Sequence, residues 1–240
     1  FCVMNTKSHS NLNSKNYLPN LSVDIVIIGY EDAQLKCLLL KMGENWCLPG
    51  GFIKREESVE NATRRVLKER TGLSNPHLNF LAVFGDRDRS FGQQLQNSTE
   101  KEGKTWIYED WFHNRFVTLA YYSLVNIEHT RPSIHQYFDE AFAWFNFDEL
   151  PNMWMDHESI IQSARDRIKK DIQTTFNAHN LLSSPFTMPE LHQLHQIILE
   201  ENIDRSRFQK KMIATGMFKR LDERQKETRG RKPYQYVVED

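Results

Sequence analysis

Cysteine is scarce in this chain and unpatterned. Cys2, Cys37 and Cys47 are the only three in 240 residues. An odd number without C-x-x-C spacing indicates neither a disulfide framework nor a zinc site. A reducing, cytoplasmic setting fits that usage. No apolar run reaches the roughly 18 residues that a membrane span needs, and the polar N-terminal stretch has no secretory h-region. Neither sign of charge dominates: the formal net charge is −1, which gives no global hint of a polyanionic partner. Internal repeats and low-complexity blocks are absent too. The length leaves room for a domain of about 150 residues and a smaller second one.

What the chain does have is a loop that enters a helix and closes on glycine, Gly51 to Leu73, with the helix expected from about Ser58 to Arg70 and Gly72 as its stop. Gly51, Glu57, Arg65, Leu67, Glu69, Gly72 and Leu73 fall at the spacing of the Nudix box, and Trp46-Cys-Leu-Pro-Gly-Gly51 leads into it. The stretch resembles that box with part of its chemistry erased, because Val66 and Arg70 stand where the pattern has glutamates. In Nudix hydrolases those glutamates belong to the cluster that holds Mg²⁺ or Mn²⁺ against a diphosphate. On a helix, positions 66, 69, 70 and 73 share one side, so carboxylates there could share a divalent cation. Arg70 replaces a negative ligand with a guanidinium that cannot be deprotonated to relieve the repulsion. The resemblance implies that Glu57 and Arg65 remain as a structural pair. Glu57, Arg65 and Glu69 are thus a residual box with no catalytic role expected and no metal or cofactor. Mg²⁺ enters only under the alternative of a working hydrolase, with Glu57, Glu60 and Glu69 as its ligands.

In chain order, residues 1–20 read as a flexible polar arm. Val23–Tyr30 and Leu35–Lys41 read as strands joined by a tight turn, and Leu78–Phe84, Arg115–Val125 and Glu140–Phe145 as further strands. Residues 90–115 show no clear period, and their aromatics Trp106, Tyr108, Trp111 and Phe112 fit a segment folded over something as well as one packed on its own core. Asp156 caps a helix through about Gln173, with Ile160, Ile161, Ala164 and Ile168 at helical spacing. The resemblance implies an α/β fold, the Nudix α/β/α sandwich with a mixed sheet, over residues 21–172. Residues 174–184 read as a connector.

From residue 185 to 240 the grammar changes. Thr187 caps a helix starting at Met188, Asp204 caps a second from Arg205 to Thr215, and Gly216 stops it. Met217–Asp222 and Tyr234–Val238 read as a hairpin, which completes the outline of a winged helix-turn-helix. Between Arg205 and Tyr234 lie eleven basic residues against three acidic ones, so the remaining chain carries an excess of nine negative charges. Such a strip gains from phosphate neutralisation on DNA. The N-terminal half of the second helix is the part that meets base edges: Arg205, Ser206, Arg207 and Gln209. Lys210 and Lys211 suit phosphates, as do Arg229, Arg231 and Lys232 on the wing.

The two halves together, from about Val23 to Val238, resemble the Nudix-related transcriptional regulators. That resemblance implies a repressor, homodimeric on a palindromic double-stranded DNA operator, whose Nudix part senses a small molecule: ADP-ribose in one branch, a pentose such as L-arabinose in another. The lost glutamates look more like the sugar-sensing branch. The competing class is an active Nudix hydrolase of ADP-ribose or another nucleoside diphosphate derivative. Candidate effector-binding residues are Trp46, Arg65 and Glu69, the loop residues Asp86, Arg87 and Arg89, and Tyr121, since a sugar needs paired polar groups and an aromatic face.

Overall fold

The computed structural model describes residues 12–73, 77–101, 103, 105–132, 141–175, 177–221 and 233–239. Strands β1 (Tyr17–Glu31), β2 (Gln34–Met42), β3 (Asn45–Cys47), β4 (Gly50–Lys54), β5 (Leu78–Phe84), β6 (Val117–Leu124) and β7 (Ala141–Asn146) make one seven-stranded mixed sheet. β1 is its spine. It pairs antiparallel with β4 along its first part and with β2 at its end, and parallel with β6 on the opposite edge.

The residues of β1 explain why helices flank both faces. Successive side chains of a strand point to opposite sides. Val23, Ile25 and Ile27 pack with Ala62, Val66 and Leu67 of helix α1 (Val59–Thr71). Helix α2 (Gly92–Lys101) follows in the chain, and then α3 (His157–Thr175). Val26 and Ile28 share the other core with Ile160, Ile161, Ala164, Ile168 and Ile172, which fall at helical spacing on α3. A strand buried on both faces reads as a nearly unbroken apolar run. Asp24 is the one charge inside that run, 6% exposed.

The second domain is built from β8 (Phe186–Thr187), α4 (Met188–Leu199), α5 (Arg205–Ala214), β9 (Phe218–Arg220) and β10 (Gln235–Val238), with β10 antiparallel between β8 and β9. Thr187 and Glu190 form a capping box at the start of α4, and Asp204 accepts the Arg207 N–H at 2.8 Å to cap α5. Helix α4 is apolar on two sides. Met188 and Leu191 join Phe208, Met212 and Tyr236 in the small core, while Leu194 and Ile198 enter the core beneath α3. Arg165 and Lys169 of α3 grip Glu200, the residue that ends α4, at 2.7 and 2.8 Å.

The sandwich and the winged helix are as expected, with differences at the seams. Of the arm expected over 1–20, residues 1–11 lie outside the described residues, and the rest is held: Leu12 is buried and β1 already starts at Tyr17. Residues 90–115 contain α2 and a 3₁₀ turn, Asp110–His113, around an aromatic cluster. Helix α2 carries a single large apolar side chain to announce it, Leu95, which is its buried anchor. The connector holds a 3₁₀ turn, Asn177–Leu181, that buries Ala178 and Leu181. Strand β8 is too short to register as a pattern in sequence. No helix among the described residues is long and apolar enough to cross a membrane.

Candidate functional site

The box is held in shape by one arginine. Arg65 donates from Nε and Nη2 to the two carboxylate oxygens of Glu57 at 3.0 and 2.7 Å, and from Nη2 to the Phe52 carbonyl at 2.9 Å. Its Nη1 reaches Glu69 at 3.1 Å. Burial works against the Glu57 charge, but the Arg65 hydrogen bonds and the Lys54 N–H hold its carboxyl below the ordinary value. Ser58 caps the helix by accepting the Asn61 N–H, and Gly72 ends it with φ +74°, its N–H bonding the Lys68 carbonyl. This forked pairing fixes the loop against the helix.

Two positions of the box that would carry carboxylates hold side chains that do not ligate a divalent cation, Val66 and Arg70. Val66, at a glutamate position, is 1% exposed and fills the space over Gly51, where an added Cβ would lie 2.8 Å from its Cγ2. Arg70, at the other, is buried against the sheet and donates to the Gly50 carbonyl at 3.2 Å, putting positive charge where the box would place a ligand. The alternative set also fails to converge: Glu57 is taken up by Arg65, and Glu60 pairs outward with Arg64 at 2.9 Å. Among the described residues, no three His, Cys, Asp or Glu side chains come together to hold a metal ion.

Beside the box lies a cleft enclosing about 940 Å³, part of it open to solvent. One wall is α1, with Arg65, Glu69 and Arg70; another is aromatic, with Tyr17, Phe52, Phe91 and Phe116; Trp154 closes a side. The floor is charged. Arg89, 3% exposed, donates to Asp24 at 2.8 Å and to both oxygens of Asp156 at 2.9 and 3.2 Å. Next to them His157 is buried, its Nδ1 accepting the Leu48 N–H at 3.0 Å. Burial pushes the His157 pKa below its ordinary value, helped by Arg89 and opposed by Asp24 and Asp156.

Of the seven residues that the sequence suggested for the effector, Arg65, Glu69 and Arg89 meet in this cleft. The other four lie outside its lining. Trp46 packs edge-on against Phe145 at 4.7 Å on the α3 side, and Tyr121 meets Phe80 at 5.4 Å on the α1 side; both serve packing. Asp86 and Arg87 belong to a turn whose effect is to deliver Arg89 inward, with the Asp86 carbonyl accepting the Arg89 N–H. The aromatics Trp111 and Phe112 of the insertion stand behind the cleft wall, in edge contact with Phe52 at 5.4 and 5.5 Å. Asp24, Trp154 and His157 also line the cleft and were not among the expected residues, and Arg70, expected only as a lost ligand, lines it too. A signal existed for Asp24, because a single carboxylate inside an apolar strand has to be paired or used.

On the second domain, Phe208 and Met212 of α5 face the core, while Arg205, Ser206, Arg207, Gln209, Lys210 and Lys211 are exposed. Arg229, Arg231 and Lys232 lie outside the described residues.

Residues 18–164 match the NUDIX domain family, and residues 178–238 match the NrtR DNA-binding winged helix domain. A curated relative from Acinetobacter baylyi, the ADPR responsive transcriptional repressor NtrR, is 25% identical over 92% of this chain and 84% of its own. The crystal structure of Shewanella oneidensis NrtR complexed with a 27mer DNA superposes with a TM-score of 0.69 at 26% identity, covering 91% of this chain and 93% of that one. An ADP-ribose pyrophosphatase of Methanocaldococcus jannaschii is 35% identical over 80 residues, which is 31% of this chain and 47% of its own. Both domain matches occur in one polypeptide and in this order, and the chain belongs to the NrtR-type family: a Nudix domain joined to a C-terminal DNA-binding winged helix.

Proposed function

We propose that this protein is a transcriptional repressor that binds double-stranded DNA through α5 and the wing, and that ADP-ribose in the Nudix cleft alters that binding. One observation carries the reading. The cleft keeps the Glu57–Arg65 scaffold of a nucleotide-handling site while Val66 and Arg70 occupy the metal-holding positions, and the same chain presents a basic recognition helix. A site of this kind retains its ligand instead of cleaving it. The lost glutamates suggested the sugar-sensing branch, but the Acinetobacter relative is an ADPR-responsive repressor, which favours ADP-ribose over a pentose.

The route from cleft to DNA is α3. Its first turn stands on the cleft floor, where Asp156 and His157 meet Arg89 and Asp24. Further along, Arg165 and Lys169 hold Glu200 at the end of α4, and α4 packs against α5. A ligand that binds one placement of α3 better than another shifts the α4–α5 unit with it, and can do so only to the extent of that difference in affinity. In a homodimer on a palindromic site, such a shift moves two recognition helices out of register with half-sites about one DNA turn apart.

The test is fluorescence anisotropy with duplex DNA from upstream of the gene. We expect binding that weakens as salt rises and that changes on adding ADP-ribose and not on adding L-arabinose. Absence of any binding at low salt removes the reading. So does ADP-ribose turnover with Mg²⁺ above about 1 s⁻¹, an ordinary enzymatic rate, which returns the chain to the hydrolases.

A further inference from the structure

The cleft floor contains a donor and an acceptor that the box scaffold does not use. Because the Leu48 N–H donates to Nδ1 of His157 at 3.0 Å, the neutral ring carries its proton on Nε2. That nitrogen is buried and has no hydrogen-bond partner among the described residues. Its nearest acid is Oδ2 of Asp24, at 3.9 Å, too far for a hydrogen bond. His157 is 4% exposed, and both it and Asp24 line the cleft. A buried N–H left without a partner in a native fold calls for an explanation, and a ligand group supplies one.

The chemistry of that ligand follows from the charges. The charged groups around the imidazole are Asp24, Asp156 and Arg89, and Arg89 is already taken up by both carboxylates, so none of the three offers a phosphate an unengaged cation. A neutral hydroxyl suits the floor, since it can donate to the Asp24 carboxylate and accept from the His157 Nε2–H at once. At 3.9 Å apart, the two polar atoms are close enough for one hydroxyl oxygen, set to the side of the line between them, to come within hydrogen-bond reach of both. We propose that Asp24 and His157 form a hydroxyl-reading subsite that binds a ribose of the effector, with Arg89 as the positioning residue that holds Asp24 in place. Resting on the ADP-ribose reading, this assigns the sugar to the β1–α3 floor and leaves the diphosphate on the α1 side, beside Arg70.

The test uses the full-length protein with ADP-ribose and ADP, read by isothermal titration, and two variants. His157→Asn keeps an acceptor for the Leu48 N–H and removes the unpartnered Nε2 donor; His157→Gln keeps a donor near the Nε2 position. We expect His157→Asn to bind ADP-ribose about tenfold more weakly, the loss of about one hydrogen bond, and His157→Gln to stay within about threefold of wild type. Both should melt close to wild type, because the effect lies in the ligand contact. A loss confined to ADP-ribose assigns the distal ribose; an equal loss for ADP assigns the ribose of the adenosine half. Unchanged binding by His157→Asn, or equal losses in both variants, overturns the subsite. Failure of the wild type to bind ADP-ribose at all is a different result, which removes the reading beneath it.

Discussion

Helices α1 and α5 are both rich in arginine and lysine, and they use that charge in opposite ways. On α1, Arg64 pairs with Glu60, Arg65 with Glu57 and Glu69, and Arg70 with a backbone carbonyl of β4. On α5, Phe208 and Met212 hold the helix to its core, and Arg205, Arg207 and Lys210 stand exposed. Charge bonded within the chain shapes a pocket; charge left facing water is available to a polyanion. The difference is visible in the neighbours: α1 has acids at helical spacing and a loop glutamate within reach, whereas no acid lies between Arg205 and Lys211.

The largest effect should come from α5. Replacing Arg207, Lys210 and Lys211 together with alanine should weaken DNA binding by about 100-fold or more at low salt, and should flatten the salt slope by about 0.9 for each phosphate no longer neutralised. Thermal stability should barely move, because these side chains are exposed. A slope that stays the same would place the DNA elsewhere on the molecule.

On α1 the opposite outcome is expected. Arg65→Ala should destabilise the fold by about 2–3 kcal/mol, as for breaking a partly buried pair, measured by urea denaturation. Because the Glu57 pKa is depressed in the fold, the pair's contribution is present above the ordinary carboxylate pKa and is lost as pH falls through the folded value. The stability gap between Arg65→Ala and wild type should therefore narrow in acid.

His195 lies on α4, its ring 4.8 Å from that of Phe208 on α5. Its Nδ1–H bonds the Leu191 carbonyl, and burial, with nearby Lys211, His192 and His179 adding to it, pushes its pKa down to about 4. A histidine depressed in the fold is protonated first in the unfolded chain. Stability is therefore lost as pH falls from about 6.5 towards 4, by about 2 kcal/mol at pH 5. His195→Leu should remove that part of the pH dependence, and a stability curve parallel to wild type across this window would contradict the burial argument.

The smallest expected change is the most informative about coupling. Glu200→Gln removes the grip of Arg165 and Lys169 on the end of α4, a half-exposed network worth about 0.5 kcal/mol. ADP-ribose affinity and DNA affinity should each persist, while the change that one ligand causes in the other should shrink. Full retention of that change would move the route away from α3.

Much of the fold was legible because local rules and tertiary packing agreed. The apolar run of Val23 to Ile28, the spacing of Ile160, Ile161, Ala164 and Ile168, and the caps at Thr187 and Asp204 each specify an element from a few neighbouring residues. Helix α2 and β8 escaped for the same reason: one has little apolar face and the other is two residues long. In the site, Arg65 and Glu69 were readable because the box fixes their spacing, and Arg89 because it stands in a charged turn. Trp46 and Tyr121 lie outside the lining of the cleft, because an aromatic on a strand packs into whichever face its parity selects, and the sequence does not say which face borders the cleft.

The sequence by itself determined the two-domain plan, the Glu57–Arg65 scaffold, the loss of carboxylates at Val66 and Arg70, and the basic face of α5. All of these depend on residues close together in the chain. Only the tertiary structure brought Asp24, Arg89 and His157 onto one floor, and only it showed that α4 belongs to two cores at once. Asp24 and His157 are separated by most of the first domain in sequence and meet because α3 packs on one face of the sheet over β1, a contact fixed by the core that Val26 and Ile28 share with the isoleucines of α3.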